Sequence, residues 1–140
     1  LKLNVSILAI LLCIPFLLGA EYQRNAALPK KAEQFLQVHF KSTPIKEIEY
    51  DDGKYEVKLR SGHEIEFDAG GNWIDIEGEY SPLPKSIIDL LPQKATAYIA
   101  NNYPRRPIVQ IKKKKYGYKI DLSNSAELMF SFNGDFLGKD

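Results

Sequence analysis

Apolar residues follow two rhythms along this chain, and the pair of rhythms occurs twice. Ala32, Phe35, Leu36 and His39/Phe40 recur at helical spacing, as do Ala95, Tyr98, Ile99 and Asn102/Tyr103. Pro29 and Pro92 stand where each helix begins, since proline at the first helical position loses no needed hydrogen bond. Pro44 and Pro107 lie just past the helix ends. The stretch Leu83-Pro84-Lys85-Ser86-Ile87-Ile88 is another proline-led apolar start, so the second helix can begin earlier than the first.

Behind each helix the period changes to two. Tyr55-Glu56-Val57-Lys58-Leu59 and His63-Glu64-Ile65-Glu66-Phe67 alternate strictly, the mark of half-buried strands. Ile45–Tyr50 precedes them, and Trp73-Ile74-Asp75-Ile76 comes after. The turns are Asp51-Asp52-Gly53, Ser61-Gly62 and Ala69-Gly70-Gly71-Asn72. Residues 108–113, 118–122, 126–132 and 135–138 repeat the set.

The two halves superpose at a constant offset of 63 residues. Residues 28–74 against 91–137 share 12 identities in 47 positions without a gap, and these fall mainly on apolar, Pro and Gly positions that a common fold constrains. Short turns between alternating strands imply an antiparallel meander, and one face of such a sheet needs cover. The pattern predicts an α+β fold, a tandem repeat of α-β-β-β-β. It forms one eight-stranded antiparallel sheet with the helices packed on one face. Repeats at 28–76 and 83–138 make a single domain over residues 21–140.

The first twenty residues follow neither rhythm. Lys2 is their only charge, Val5 to Leu18 is apolar apart from Ser6, and Gly19-Ala20 leads into a polar segment. This is the pattern of a secretory signal peptide over residues 1–20, too short to span a bilayer comfortably. Cys13 lies inside it, with Leu12 before and an apolar run after, which suits a passenger rather than a lipidated cysteine. The expected location is periplasmic or secreted, without stable membrane insertion after cleavage.

Composition adds exclusions. The net charge is +1, with 19 basic and 18 acidic side chains, so no global field gathers nucleic acid. Cys13 is the single cysteine, which excludes a disulfide framework and a cysteine zinc cluster. Lys2 and Cys13 both lie within the signal segment, so the remaining chain is neutral and free of cysteine.

Leu28-Pro29, Phe40, Pro44-Ile45, Tyr55-Glu56-Val57-Lys58-Leu59, Ser61-Gly62, Glu64-Ile65-Glu66-Phe67-Asp68 and Gly71-Asn72-Trp73 resemble the PepSY-like family of exported and periplasmic proteins, of the Bacteroides type. Asn102-Tyr103-Pro104 and Tyr118-Lys119-Ile120-Asp121-Leu122 carry the same pattern in the second half. The resemblance covers residues 27–138 and implies export. It also implies a fold similar to that of the β-lactamase inhibitory protein. By analogy with relatives it suggests inhibition of a peptidase or of a β-lactamase. The expected partner is an envelope protein or peptidase-like target, met by a monomer or weak dimer. Ser125 stands where the first half has Gly62, and Ser131 where it has Asp68, which predicts a looser second turn.

Catalytic chemistry finds little footing. After residue 20 only His39 and His63 offer imidazole bases for a nucleophile, and neither sits in a recognisable motif. Asp51-Asp52-Gly53 lacks the downstream ligand spacing of a calcium loop, and Asp68 with Asn72 is ordinary turn chemistry. No enzyme, cofactor or metal site is therefore expected.

Two binding candidates remain. Lys112-Lys113-Lys114-Lys115 is a basic run whose repeat counterpart is Glu49-Tyr50-Asp51-Asp52, so equivalent hairpins carry opposite charge. It reads as an anion or partner site, or as a solvated edge. Tyr55, Phe67, Tyr118, Phe130 and Phe132 share the phase of the core aliphatics and are expected inside. Trp73 and Asp75 take the phase opposite to Ile74 and Ile76. With the isoleucines toward the helices, Trp73, Phe136, Tyr50 and Met129 form a partner-binding patch on the open sheet face; with a bulged strand, Trp73 is core instead.

Overall fold

The computed structural model describes residues 23–79 and 81–140. The expected signal segment 1–20, with Cys13, lies outside the described residues. Among the described residues, nine strands follow one another in sequence order across a single antiparallel sheet. They are β1 (Gln23–Arg24), β2 (Ile45–Asp51), β3 (Lys54–Leu59), β4 (Glu64–Asp68), β5 (Trp73–Glu77), β6 (Ile108–Lys114), β7 (Gly117–Leu122), β8 (Ala126–Ser131) and β9 (Phe136–Lys139). Three helices among the described residues punctuate the meander: α1 (Lys30–His39), α2 (Lys85–Ile88) and α3 (Gln93–Asn102). The eight expected strands are all present. The ninth, β1, is a two-residue rung on β2, too short to leave a periodic signal.

The core lies between the helices and one face of the sheet. Val57, Ile65, Ile76, Ile111, Ile120 and Leu128 form a buried row across six strands, in register through each cross-strand pair. Ala32 and Leu36 of α1, and Ala95 and Ile99 of α3, close over it. Pro29 and Pro92 sit one residue before α1 and α3. Their carbonyls accept the first helical bonds, from Glu33 and Thr96, at 3.1 and 3.2 Å.

The bulges repeat as well. Register shifts between Ile45 and Glu47 in β2 and between Ile108 and Gln110 in β6, positions 63 apart. It shifts again where β4 meets β5 and where β8 meets β9, leaving Ile74 and Leu137 without cross-strand partners. A bulge places two residues opposite one and re-aims the neighbouring side chains. It returns Trp73 opposite Phe67, and Phe136 opposite Phe130, on the helix side.

The turns after β4 and β8, each with a glycine of positive φ at its third position, hold the helix starts. A Cβ on Gly71 would lie 3.0 Å from the Ala32 nitrogen and 3.0 Å from the Pro29 Cβ. On Gly134 it would lie 3.0 Å from the Ala95 nitrogen and 2.8 Å from the Pro92 Cβ. Lys31 bonds Asn72, and Lys94 bonds Asp135, at the same two places. The turns differ as the sequence anticipates. Asp68 Oδ1 accepts from the Gly70 and Asn72 amides at 3.0 and 2.9 Å, whereas Ser131 Oγ accepts only from Asp135, at 3.0 Å. Asn124 and Ser125 both take positive φ, where the first half uses Gly62.

Candidate binding face

Among the described residues no helix covers the other face of the sheet, and most of its side chains are charged. Cross-strand pairing sets Glu49, Glu56, Glu66, Asp75, Lys112, Lys119 and Met129 in one row from β2 to β8. The adjacent row holds Glu47, Lys58, Glu64, Glu77, Gln110, Asp121 and Glu127. Carboxylates outnumber lysines in both. Ion pairs tie part of this surface together: Lys54–Glu66, Lys112–Asp75 and Lys119–Glu127 at 3.0 Å, and Lys58–Glu56 at 3.3 Å. Gln110 Nε2 donates to Asp75 Oδ1 at 2.9 Å.

Three carboxyls in the second row have raised pKa. Burial pushes Glu64 up, and the charge of Glu56 adds to it. Burial pushes Glu77 up, reinforced by Asp75, Glu64 and Asp121. Burial also raises Asp121; Lys119 opposes this, while Glu127 and Asp75 add to it. Asp121 Oδ1 is buried without a hydrogen-bond partner among the described residues. This strip holds more negative charge than its own lysines neutralise.

The expected aromatic patch does not assemble on this face. Tyr50, Tyr55, Phe67 and Trp73 pair in turn across β2 to β5, and Phe67 is fully buried under α1. Tyr50 and Trp73 therefore belong to the helix side, and the β5 bulge is the reason for Trp73. Phe136 stacks on Tyr98 of α3 with centroids 4.3 Å apart. Of the four, only Met129 lies on the open face, opposite Lys119. Phe132, expected in the core, is 52% exposed, because β8 ends at Ser131 and the residue falls in the turn.

The lysine run divides in the same way. Lys112 is on the open face, in its ion pair with Asp75. Lys113 points to the helix side, with its ammonium 3.8 Å from the centroid of the Trp73 ring. Burial lowers its pKa. Lys114 and Lys115 are exposed at the β6–β7 tip. The four lysines are thus not one patch, and β6 is an inner strand rather than an edge.

The histidines are held by neutral partners. His39 Nδ1 is 2.9 Å from Ser86 Oγ, which links α1 to α2, and burial lowers its pKa. His63 lies between Ser61 Oγ at 2.9 Å and the Pro82 carbonyl at 3.1 Å. Among the described residues no group of three His, Cys, Asp or Glu side chains could hold a metal ion. The open-face lattice was partly legible, since Glu56, Glu64 and Glu66 share their phase with Lys58. The Asp75–Lys112 and Trp73–Lys113 contacts join different halves, and no local spacing announces them.

Fold and surface together define a tandem-repeat sheet protein, covered on one side and charged on the other. A family model described as "Putative beta-lactamase-inhibitor-like, PepSY-like" matches residues 22–62 and 53–138, and the chain belongs to this PepSY-like family. Three solved structures share the fold along nearly their whole length. A "putative calcium-regulated periplasmic protein" of Bacteroides thetaiotaomicron is 27% identical, with a TM-score of 0.78 over 85% of this chain and 96% of its own. A periplasmic protein of unknown function from Bacteroides vulgatus is 28% identical, with a TM-score of 0.79 over 86% and 99%. A second periplasmic protein of that organism is 26% identical, with a TM-score of 0.75 over 86% and 97%. No curated protein matches the chain. The protein is periplasmic or secreted; the three neighbours are described as periplasmic, and no helix among the described residues is long and apolar enough to cross a membrane.

Proposed function

We infer that this protein is an exported, non-enzymatic binding module of inhibitor-like type, and that the open sheet face is the surface it presents. The observation that carries this reading is the double row of carboxylates that no described helix covers, three of them with pKa raised by burial first and by neighbouring carboxylates second. Such a surface favours a partner with a basic patch, whose charges would relieve the repulsion between Glu64, Glu77 and Asp121. Met129 offers the apolar contact within it. The family description is inhibitor-like and names no catalytic activity, which supports the same reading. The test is capture from the native envelope fraction with the protein immobilised. Reversing Glu56 and Glu66 to Lys should abolish capture of the partner, while Phe132→Ser should leave it intact. Equal capture by all three proteins would overturn the assignment.

A second reading has its own observation. The β2–β3 tip exposes Asp51 and Asp52, and the β6–β7 tip at the same end of the sheet exposes Lys114 and Lys115. Oppositely charged tips suit assembly between molecules in the envelope. This reading requires association that weakens with salt and disappears when Lys114 and Lys115 are changed to Glu. Salt-independent association would exclude it.

A further inference from the structure

The two helix starts meet the sheet through different chemistry. In the second half, the Phe136 ring stacks on Tyr98 of α3, with centroids 4.3 Å apart and planes inclined by 14°. The neighbouring Asp135 forms an ion pair with Lys94 at the start of the same helix. One aromatic ring and one carboxylate thus sit together on α3.

The first half has neither contact. Phe35 and Lys31 of α1 stand 63 residues before Tyr98 and Lys94. Trp73 takes the place of Phe136, but among the described residues it makes no ring contact with Phe35. Its ring lies instead 6.4 Å from that of Tyr118 and 3.8 Å from the Lys113 ammonium. Asn72 takes the place of Asp135, and its Oδ1 accepts from Lys31 without neutralising it. Between α1, the β4–β5 turn and β6 there remains a cavity of about 360 Å³. Lys31, Phe35, His39, Asn72, Trp73 and Lys113 are among its walls, and no carboxylate lines it. Among the described residues neither lysine has a carboxylate within ion-pair distance. Asp68, the acidic group that acts on Lys113 from outside the cavity, is engaged by the Gly70 and Asn72 amides and by Asn72 Nδ2 at 3.0 Å.

We propose that this cleft binds a small aromatic carboxylate, with its ring on Phe35 and Trp73 and its carboxylate held by Lys31 and Lys113. The second half makes the same pair of contacts within the chain, through Phe136 on Tyr98 and Asp135 on Lys94. The first half keeps the receiving ring and the receiving lysine and adds a second lysine. Burial lowers the pKa of Lys113, Asp68 opposes this, and the charge of Lys31 adds to it. A bound anion would offset both burial and repulsion, and hydrogen bonds between ionised groups are the strong ones. The aromatic walls favour a ring over a bare anion. The volume lies within the range of small-ligand clefts. The site is on the helix side of the sheet, so it stands or falls independently of the open face.

The probe is phenylacetate, titrated at neutral pH against the fluorescence of Trp73, the single tryptophan. Saturable change is expected, with a dissociation constant below about 1 mM. Amide chemical shifts should move in α1, the β4–β5 turn and β6. Phenylacetamide keeps the ring without the charge, and acetate keeps the charge without the ring; neither should saturate in the same range. Lys113→Met and Lys31→Gln should each weaken phenylacetate binding about tenfold, the loss expected for one charge-assisted contact. Lys31 is exposed, so its substitution tests the site even if Lys113→Met disturbs packing. Lys41→Gln removes an exposed charge outside the cleft and should leave affinity unchanged. Absent saturation, shifts confined to other elements, or indifference to both cleft variants would each overturn the proposal. Equal affinity for phenylacetamide would show that the lysines do not select the ligand, and equal affinity for acetate that the rings do not. An equal loss in Lys41→Gln would reduce the effect to general charge attraction. Each of these three results would also overturn it.

Discussion

The Lys113 ammonium lies 3.8 Å from the centroid of the Trp73 ring, across the seam where β5 of the first half meets β6 of the second. In the first half the position equivalent to Lys113 is Tyr50, whose ring lies 4.6 Å from that of Tyr55. The aromatic row therefore crosses the seam as a cation–aromatic contact. Among the described residues, Lys113 has no carboxylate within ion-pair distance, so the ring is its main partner.

This contact should couple the two halves. Trp73→Ala should destabilise the fold by about 2–4 kcal/mol, as expected for loss of a large ring packed on the core. Lys113→Met keeps the alkyl stem and removes the charge, and should cost about 1 kcal/mol. In a double-mutant cycle by urea unfolding, the two losses should fall short of additive by a similar amount. Trp73 is the single tryptophan, so Lys113→Met should also shift the emission maximum of the folded protein. Strict additivity with unchanged emission would show that the contact contributes nothing.

The acidic strip predicts an unusual pH profile. Glu64, Glu77 and Asp121 have pKa values above those of ordinary carboxylates, so between the two values the folded state binds more protons than the unfolded chain. Their contribution is fully present below the unfolded pKa and is lost as pH rises through the raised folded values. His39 and Asp68 act in the opposite direction; burial lowers the pKa of His39, so its contribution is lost as pH falls through the unfolded value. Burial works against the charge of Asp68, but hydrogen bonds from Asn72 and Gly70 outweigh burial and lower its pKa, so its contribution is lost as pH falls. The protein should therefore melt higher in mildly acidic buffer than at neutral pH, with a fall at stronger acid. Glu77→Gln and Asp121→Asn should each raise the neutral-pH melting temperature and flatten the profile. Melting temperatures that rise steadily toward neutrality in the parent protein would contradict this account.

Glycine substitutions separate backbone strain from steric contact. Gly53, Gly71 and Gly134 all have positive φ, but a Cβ on Gly53 meets nothing within 4 Å. Gly53→Ala should cost about 1 kcal/mol, from backbone strain alone. Gly134→Ala adds a clash with Pro92 and the backbone of Ala95, and should cost about 2–3 kcal/mol. Gly71→Ala should fall between them, since its closest approach is 3.0 Å. Chemical denaturation of the three variants gives the order directly, and equal costs would mean that the helix starts are not seated on these turns.

Much of this architecture was legible because it depends on short-range periodicity. Alternation in 55–59 and 63–67, helical spacing in 32–40, and the constant offset of 63 all survive in one dimension. The faces of Trp73 and Phe136 were not legible, because one bulged residue reverses the phase of a strand and apolar alternation cannot locate it. Regular alternation would turn Ile74, and Leu137 at the equivalent position, toward the helices. In the folded sheet they are the extra residues, and the aromatic neighbours turn inward instead. The lysine run misled for a related reason. Four identical residues suggest one patch, but pleating sends Lys112 and Lys113 to opposite faces, and each finds a partner from β5 that the sequence does not place nearby.

That division determines which lysines can report on binding. Lys112 pairs with Asp75 at 3.0 Å, and Asp75 also accepts from Gln110, so this cluster ties β5 to β6. The ion pair with Asp75 is the main reason that the pKa of Lys112 is raised. Lys112→Glu would set a carboxylate against Asp75 in the middle of the sheet. It should destabilise the protein by about 1–2 kcal/mol at neutral pH, reduced by salt because the pair is partly exposed. The double reversal Lys112→Glu with Asp75→Lys should recover most of the loss. Lys114→Glu with Lys115→Glu lies at an exposed tip and should leave stability within about 0.5 kcal/mol of the parent. Urea unfolding at low and high salt distinguishes these cases. If the tip pair proves as costly as Lys112→Glu, the lysines act together in folding, and a charge-reversal test of association must be redesigned around single substitutions.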